Sequence, residues 1–393
     1  MKNKTFGSIK TGDLGALRKR NKELILHTLS KRSMPAVELQ GVTGLSKTGC
    51  WTIIEDLVQN GILYKTEVET GTKGRPPQYL KISEKCGLVA VIKFTEAKAG
   101  LYTLGGDTVC EKIFNVNDVV TPQIIEDICR YLSDELQKRG IALLNMCIAV
   151  PGLVDKNSGE LIYAPYFQDF ETLNLKLLFE RRFHTDVYVK NDLKFSLLAE
   201  KNHSPLGEKI HDTLYIQLGS GIGSSLYLDG KLYEGARGLS GEIGRFHLDY
   251  DSDSYGEVYV KYGSYHHLLE LAKERLAAGQ QSILSKIDVE GLKIEDIARG
   301  YRAGDRLCCD LFEFHARITA KVIQSCGVII DFNNVIIAKH DDVFDDSYIE
   351  MLSRFVNAYT GYSKKEVVFS QYKGDEVTRG ALDFAIENAI SKI

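Results

Sequence analysis

From Leu17 the chain reads "LRKRNKELILHTLSKR", with apolar Leu24, Ile25 and Leu29 at helical spacing between basic flanks. In "PAVELQGVTG", Pro35 is placed to open a short second helix and Gly41 or Gly44 to end it. "LSKTGCWTIIEDLVQNGIL" predicts a third helix, with Ser46 as N-cap, Cys50, Ile53, Ile54 and Leu57 as the buried stripe, and Gly61 at its close. Together these make a helix-turn-helix pattern. With the stripe inward, Lys47, Thr48, Trp51, Thr52 and Glu55 fall on or near the exposed face. Trp51, the single tryptophan, either meets a partner there or packs back on the first helix.

"ILYKTEVETGTKGRPPQYLKIS" then alternates apolar and polar positions on both sides of a glycine-rich turn, as a two-stranded wing does. At its tip Pro76 and Pro77 stiffen an extended backbone that projects Arg75, with Lys73 beside it. An arginine held this way suits a narrow A·T-rich minor groove. The expected DNA-binding residues are Ser46, Lys47, Thr48, Trp51, Thr52, Lys73 and Arg75.

Beyond the wing the pattern turns α/β. "GLVAVIKFTEAKAGLYTLGGDTVCEKIFNV" predicts three strands in meander, followed by the helix "TPQIIEDICRYLSDELQKRG" and the strands "LNMCIAVPG" and "DVYVKND". A second lobe opens at "DTLYIQLGSG", and "RLCCDLFEFHARITAKVIQSCGVII" reads as a long helix feeding the strand "NNVIIA".

Charge sharpens this division. Residues 1–84 hold 14 Lys and Arg against 8 Asp and Glu, a net of +6, and the remainder nets −10. A basic head on an acidic body points to a polyanionic partner for the head. No apolar run is long enough to span a bilayer and the start has no signal-peptide segment, so a cytoplasmic location is expected. The eight cysteines contain no C-x-x-C, which argues for reduced, mostly buried thiols.

"IQLGSGIGSSLYLDG", residues 216–230, raises the chemical question. Glycines tolerate φ > 0 and let backbone N–H groups approach a phosphate, yet the same stretch also describes a plain hairpin turn. Gly219, Ser220, Gly221 and Gly223 do not decide between these alone.

The order helix-turn-helix, "GRPP" wing, "VPGLVD", "KND", "LGSGIG" and "DGKLYEGARGLSGEIG" resembles a ROK-family transcriptional regulator over nearly the whole chain. The resemblance implies an N-terminal winged helix followed by a two-lobed, hexokinase/actin-like α/β body. The expected parts are 1–84 (winged helix), 85–193 (first lobe) and 194–393 (second lobe). A kinase of the family would carry an Asp-Gly-Gly-Thr type turn between its first two strands, where this chain has "KFTEAK" with Lys93, Phe94 and Glu96. Near residue 337 it would carry a glycine pair, where this chain has Ala338, Lys339 and His340.

The sugar side matches better. The resemblance implies that Asn191 and Asp192 hydrogen-bond sugar hydroxyls, Asp192 being the general base in kinases, and that Glu242 binds sugar as well. Arg245 stands where the family has His, and the cysteine-rich zinc loop beyond is absent; His247, His266 and His267 are poor substitutes, and no metal or cofactor is expected. Tyr166 occupies a position where Asn is frequent. Arg245 either holds an anionic group of a sugar derivative or pairs with Glu242 with no small molecule present.

The function expected is therefore a homodimeric repressor of carbohydrate-metabolism genes that binds an operator and a sugar or sugar derivative between its lobes, with no enzyme activity. The alternatives are a bifunctional or degenerate sugar kinase using Asp192 as base, and a constitutive DNA-binding protein whose sensor has decayed.

Overall fold

The apolar stripes of the head become helices α1 (Thr11–Lys31), α2 (Ala36–Thr43) and α3 (Lys47–Gln59), with strands β1 (Met34–Pro35), β2 (Leu63–Glu67) and β3 (Gln78–Ile82) in a three-stranded sheet of order β1-β3-β2. The computed structural model describes residues 11–67, 78–116, 119–168, 173–248, 258–358 and 364–393. Local chemistry sets the helix ends. Pro35 precedes α2, Gly44 ends it in the left-handed region at φ 66, and the Ser46 side chain caps α3 by accepting the Gly49 N–H at 3.2 Å. Cys50, Ile53, Ile54 and Leu57 are the buried residues of α3, as their spacing predicts. This element order is consistent with the expected winged helix. Lys73, Arg75, Pro76 and Pro77 lie outside the described residues.

The chain divides into two compact units, one of residues 1–154, 158–190 and 381–393, the other of 155–157 and 191–380. The first unit adds β4 (Leu88–Lys93), β5 (Lys98–Thr103), β6 (Thr108–Ile113), α4 (Pro122–Arg139), β7 (Leu143–Val150), the short pair β8 (Leu153–Val154) and β9 (Leu161–Tyr163), α5 (Leu175–Phe183) and β10 (Asp186–Asn191). Its five-stranded sheet runs β10-β7-β4-β5-β6, with β4 antiparallel to β5 and parallel to β7. Every residue of β4 is buried, which is why "LVAVIK" is nearly unbroken apolar rather than alternating.

In the second unit come α6 (Asp192–His203), β11 (Thr213–Gln217), β12 (Gly223–Leu228), β13 (Lys231–Tyr233), α7 (Tyr259–Gly263), α8 (Tyr265–Ala277), α9 (Ile294–Arg302), α10 (Arg306–Ile330), β14 (Asn334–Ile337), α11 (Asp346–Ala358) and β15 (Glu366–Phe369), while α12 (Glu376–Ile390) begins there and belongs to the first unit from Ala381 on. Its sheet repeats the scheme of the first: a meander β13-β12-β11 extended by parallel β14 and β15. The long helix α10 supplies the centre of the core through Leu307, Leu311, Phe312, Ala316 and Ile323. Inside it, His315 is fully buried, with Nδ1 2.6 Å from the Tyr348 hydroxyl and Nε2 2.9 Å from the Gly263 carbonyl. Since a carbonyl only accepts, Nε2 carries the proton and Nδ1 accepts from Tyr348.

All eight cysteines are free and five of them are buried. Among the described residues no helix is long and apolar enough to cross a membrane.

Candidate functional site

On α3 the inward stripe leaves Lys47, Thr48 and Thr52 exposed and Trp51 half-buried. Ser46, as cap, spends its side chain on the helix itself. Nearby cations are partly neutralised: Arg18 pairs with Asp56 at 3.4 Å and Arg32 with Glu38 at 2.6 Å. Lys47 lies in the first turn of α3, where the helix end adds positive potential.

The expected sugar-binding residues Asn191, Asp192, Glu242 and Arg245 all fall in the second unit. Asn191 caps α6, and its Oδ1 accepts the Leu193 N–H at 3.0 Å; Asp192 Oδ1 shares that donor at 2.9 Å. The helix N-terminus favours the Asp192 charge. Glu242 is different: none of the described residues gives its side chain a hydrogen bond or an ion pair. Burial pushes its carboxyl above the ordinary range, while the charges of Arg245 and Lys194 pull the other way. A half-buried carboxylate without donors is suited to accept hydroxyl or amide protons from outside. Arg245 is exposed.

The glycines explain how these groups are placed. A Cβ on Gly244 would come within 2.6 Å of the Ile222 carbonyl oxygen, and one on Gly241, at φ 92, within 2.6 Å of the Ser224 carbonyl oxygen. A Cβ on Gly223 would overlap the Leu193 side chain, next to Asp192. The hairpin around "LGSGIG" thus presses the Glu242 loop on one side and the start of α6 on the other. The close backbone approach is made by Gly241 and Gly244, whereas within the hairpin Gly223 meets the Leu193 side chain and Gly221 has nothing within 4 Å of an added Cβ.

At the two stretches where the sequence departs from the expected nucleotide-binding turns, the side chains pair and pack among themselves. In the first unit the β4–β5 turn is closed by an ion pair, Lys93 Nζ to Glu96 Oε1 at 2.8 Å, and Phe94 is buried edge-on against Phe167 at 4.9 Å between centroids. In the second, His340 Nε2 would lie 3.1 Å from a Cβ on Gly219. Asp341 accepts from the Tyr265 hydroxyl at 2.9 Å and pairs with His340 at 3.2 Å. Ala338 is buried, and the Lys339 ammonium lies over the Phe369 ring.

Other candidates are spread apart in role. His266 pairs with Glu270 at 3.0 Å on an exposed surface, and His267 packs its ring against Tyr262. His247 forms an isolated bridge with Val258. Among the described residues no group of three or more His, Cys, Asp or Glu could hold a metal ion. Tyr166 is exposed in the first unit.

Sequence reasoning missed Lys194 and Arg237. Lys194 is buried and donates to the Gly238 carbonyl; Arg237 Nε donates to buried Asp155 at 2.8 Å. A lysine inside the apolar run "LKFSLL" was the available signal for the first. Nothing local marked the second.

The ROK family profile matches residues 94–388 of this chain. A putative xylose repressor of Caldicellulosiruptor sp. (strain Rt8B.4) is 25% identical over 97% of this chain and 98% of its own length. The DNA-binding transcriptional dual regulator NagC of Escherichia coli (strain K12) is 20% identical over 84% of this chain and 83% of its own. Among solved structures, a ROK family transcriptional regulator, homolog of the E. coli MLC protein, covers 96% of this chain and 98% of that one, with a TM-score of 0.74 at 17% identity. A ROK family glucokinase from Streptomyces griseus in complex with glucose and AMPPNP covers 76% of this chain and 99% of that one, with a TM-score of 0.58 at 22% identity. The body of the chain has the mixed α/β, actin-like fold of these proteins. The chain belongs to the ROK family.

Proposed function

We propose that this protein is a transcriptional repressor that binds duplex DNA through residues 1–84 and a sugar or sugar derivative through Asn191, Asp192, Glu242 and Arg245, without transferring phosphoryl groups. In this reading 85–193 and 194–393 are the lobes of the sensor, the active species is a cytoplasmic homodimer on two half-sites, and ligand-induced lobe closure resets their spacing. The observation that carries it is a contrast. The Glu242 carboxylate is half-buried and without a donor among the described residues, whereas Lys93 pairs with Glu96 in the β4–β5 turn and His340 lies close to Gly219. Two further facts support it. The repressor names of the relatives accompany alignment over nearly all of this chain, and the share of the chain that the solved regulator covers and the glucokinase does not is close in length to residues 1–84.

Arg245 extends the ligand class to acids and phosphates of sugars, since a guanidinium can hold either in a bidentate pair. The test has two stages. Duplexes bound by the protein are selected from a random-sequence pool, and the selected duplex is then titrated with xylose, N-acetylglucosamine and their acid or phosphate derivatives. A selected consensus whose affinity changes with one of these compounds supports the reading; recovery of no consensus removes it.

A further inference from the structure

The loop that carries Glu242 is gripped, residue after residue, by a tripeptide from elsewhere in the chain. Lys156 Nζ donates to the Gly235 carbonyl, Asn157 Nδ2 to that of Ala236 at 3.4 Å, and the Lys156 N–H to that of Arg237 at 2.9 Å. The next carbonyl, of Gly238, accepts from Lys194 of α6. Arg237 returns the grip, its Nε donating to Asp155 Oδ2 at 2.8 Å. The other Asp155 oxygen accepts the Asn157 N–H at 2.9 Å and folds the tripeptide on itself.

Carbonyls of loop residues ordinarily face water, so four held in succession fix this backbone far more firmly than a loop needs. Asp155 is buried while the Arg237 side chain is exposed, so water screens this pair from one side only. Residues 155–157 belong with the second unit, but their covalent neighbours Val154 and Ser158 belong with the first. There β8 and β9 pair antiparallel, Leu153 opposite Tyr163 and Val154 opposite Leu161.

We propose that Asp155, Lys156 and Asn157 form a mechanical link that passes a displacement of the Glu242 loop to β8 and β9, in the unit that also holds α1, α2 and α3. Its use by an effector rests on the sugar-binding reading given above; the link itself does not. A passive staple would hold the loop without passing anything on, and that is the competing account.

Hydrogen exchange followed by mass spectrometry on the full chain, without sugar, separates the two. Gly241→Ala displaces the loop, because its Cβ meets the Ser224 carbonyl oxygen at 2.6 Å. Peptides covering residues 158–163, beyond the gripping tripeptide, should then exchange at least fivefold faster. In an Arg237→Ala background, adding Gly241→Ala should produce no further change there. Faster exchange confined to residues 155–157 and 234–245, with 158–163 at the wild-type rate, overturns the proposal. Should Gly241→Ala fail to fold, Ser240→Ala, which removes only a 2.6 Å bond to the Tyr233 carbonyl, gives the same comparison. A parallel arm adds xylose or N-acetylglucosamine to the wild type. If neither alters exchange in any peptide, the sugar reading loses support, while the Gly241→Ala comparison still decides the link.

Discussion

Lys93 Nζ lies 2.8 Å from Glu96 Oε1, so the turn between β4 and β5 is held shut by its own side chains. Phosphate oxygens placed there would meet a carboxylate already paired with Lys93, and Lys98, opposite Lys93 in the ladder, is itself paired with Glu111 at 3.1 Å. With ATP, magnesium and a panel of neutral sugars, the protein should release no ADP above the sugar-free rate. Steady turnover that Asp192→Asn abolished would mean that phosphate enters by another route and that Asp192 acts as a base.

Lys47 and Arg75 should fail differently when replaced by alanine. Lys47, exposed in the first turn of α3, is the proposed phosphate contact. Its loss should weaken binding across all sequences and reduce the salt dependence by about one counterion. Arg75, outside the described residues, should matter most on sites flanked by A·T runs. Wild-type affinity for such sites in Arg75→Ala would remove the wing from the interface.

Gly244→Ala should destabilise the second unit by about 1–3 kcal/mol, the usual cost of forcing a methyl into a filled space. The opposing atom is a backbone oxygen, from Ile222, that cannot rotate away. Gly221→Ala is the control, because nothing lies within 4 Å of its added Cβ. Equal urea midpoints for the two variants would show that the glycines are not there for close approach.

The buried His315 imposes a pH dependence. Burial lowers its pKa from 6.5 to about 4. Between those values the unfolded chain binds the proton and the folded one does not, so the stability from this group is full above pH 6.5 and is lost as pH falls toward 4. From pH 7 to pH 5 that loss is on the order of 2 kcal/mol. Urea titrations at the two pH values should show it, and His315→Gln should be less stable at pH 7 with a shallower pH slope. An unchanged slope in that variant would place the titration elsewhere.

Most of the fold was legible because its determinants are local. Ser46 caps α3 and Cys50, Ile53, Ile54 and Leu57 face inward, each fixed by spacing within one helix. The meander of β4, β5 and β6 and the long helix α10 followed from periodicity in the same way. The site was legible only through its motifs. That Gly241 and Gly244 of "GEIG" sit against the Ser224 and Ile222 carbonyls depends on tertiary contact, as does the pairing of Asp155 with Arg237, 82 residues apart. No spacing rule connects such positions. The buried amine of Lys194 was hidden for a related reason: a helix shows which face is apolar, and not which carbonyl waits opposite a given cation.

The measurement that bears most directly on the whole account is the fluorescence anisotropy of a labelled, selected duplex, titrated with protein in the presence and absence of the responsive sugar. For the wild type the sugar should change the DNA dissociation constant at least fivefold, a coupling within the usual range for two-site regulators. Asp192→Ala should bind the duplex alone as the wild type does and need at least tenfold more sugar for the same effect, since about 1.4 kcal/mol of lost hydrogen bonding is a factor of ten. An Asp192→Ala protein that answers to sugar at the wild-type concentration would contradict the account, because the effector would then bind somewhere other than beside Asn191, Asp192 and Glu242.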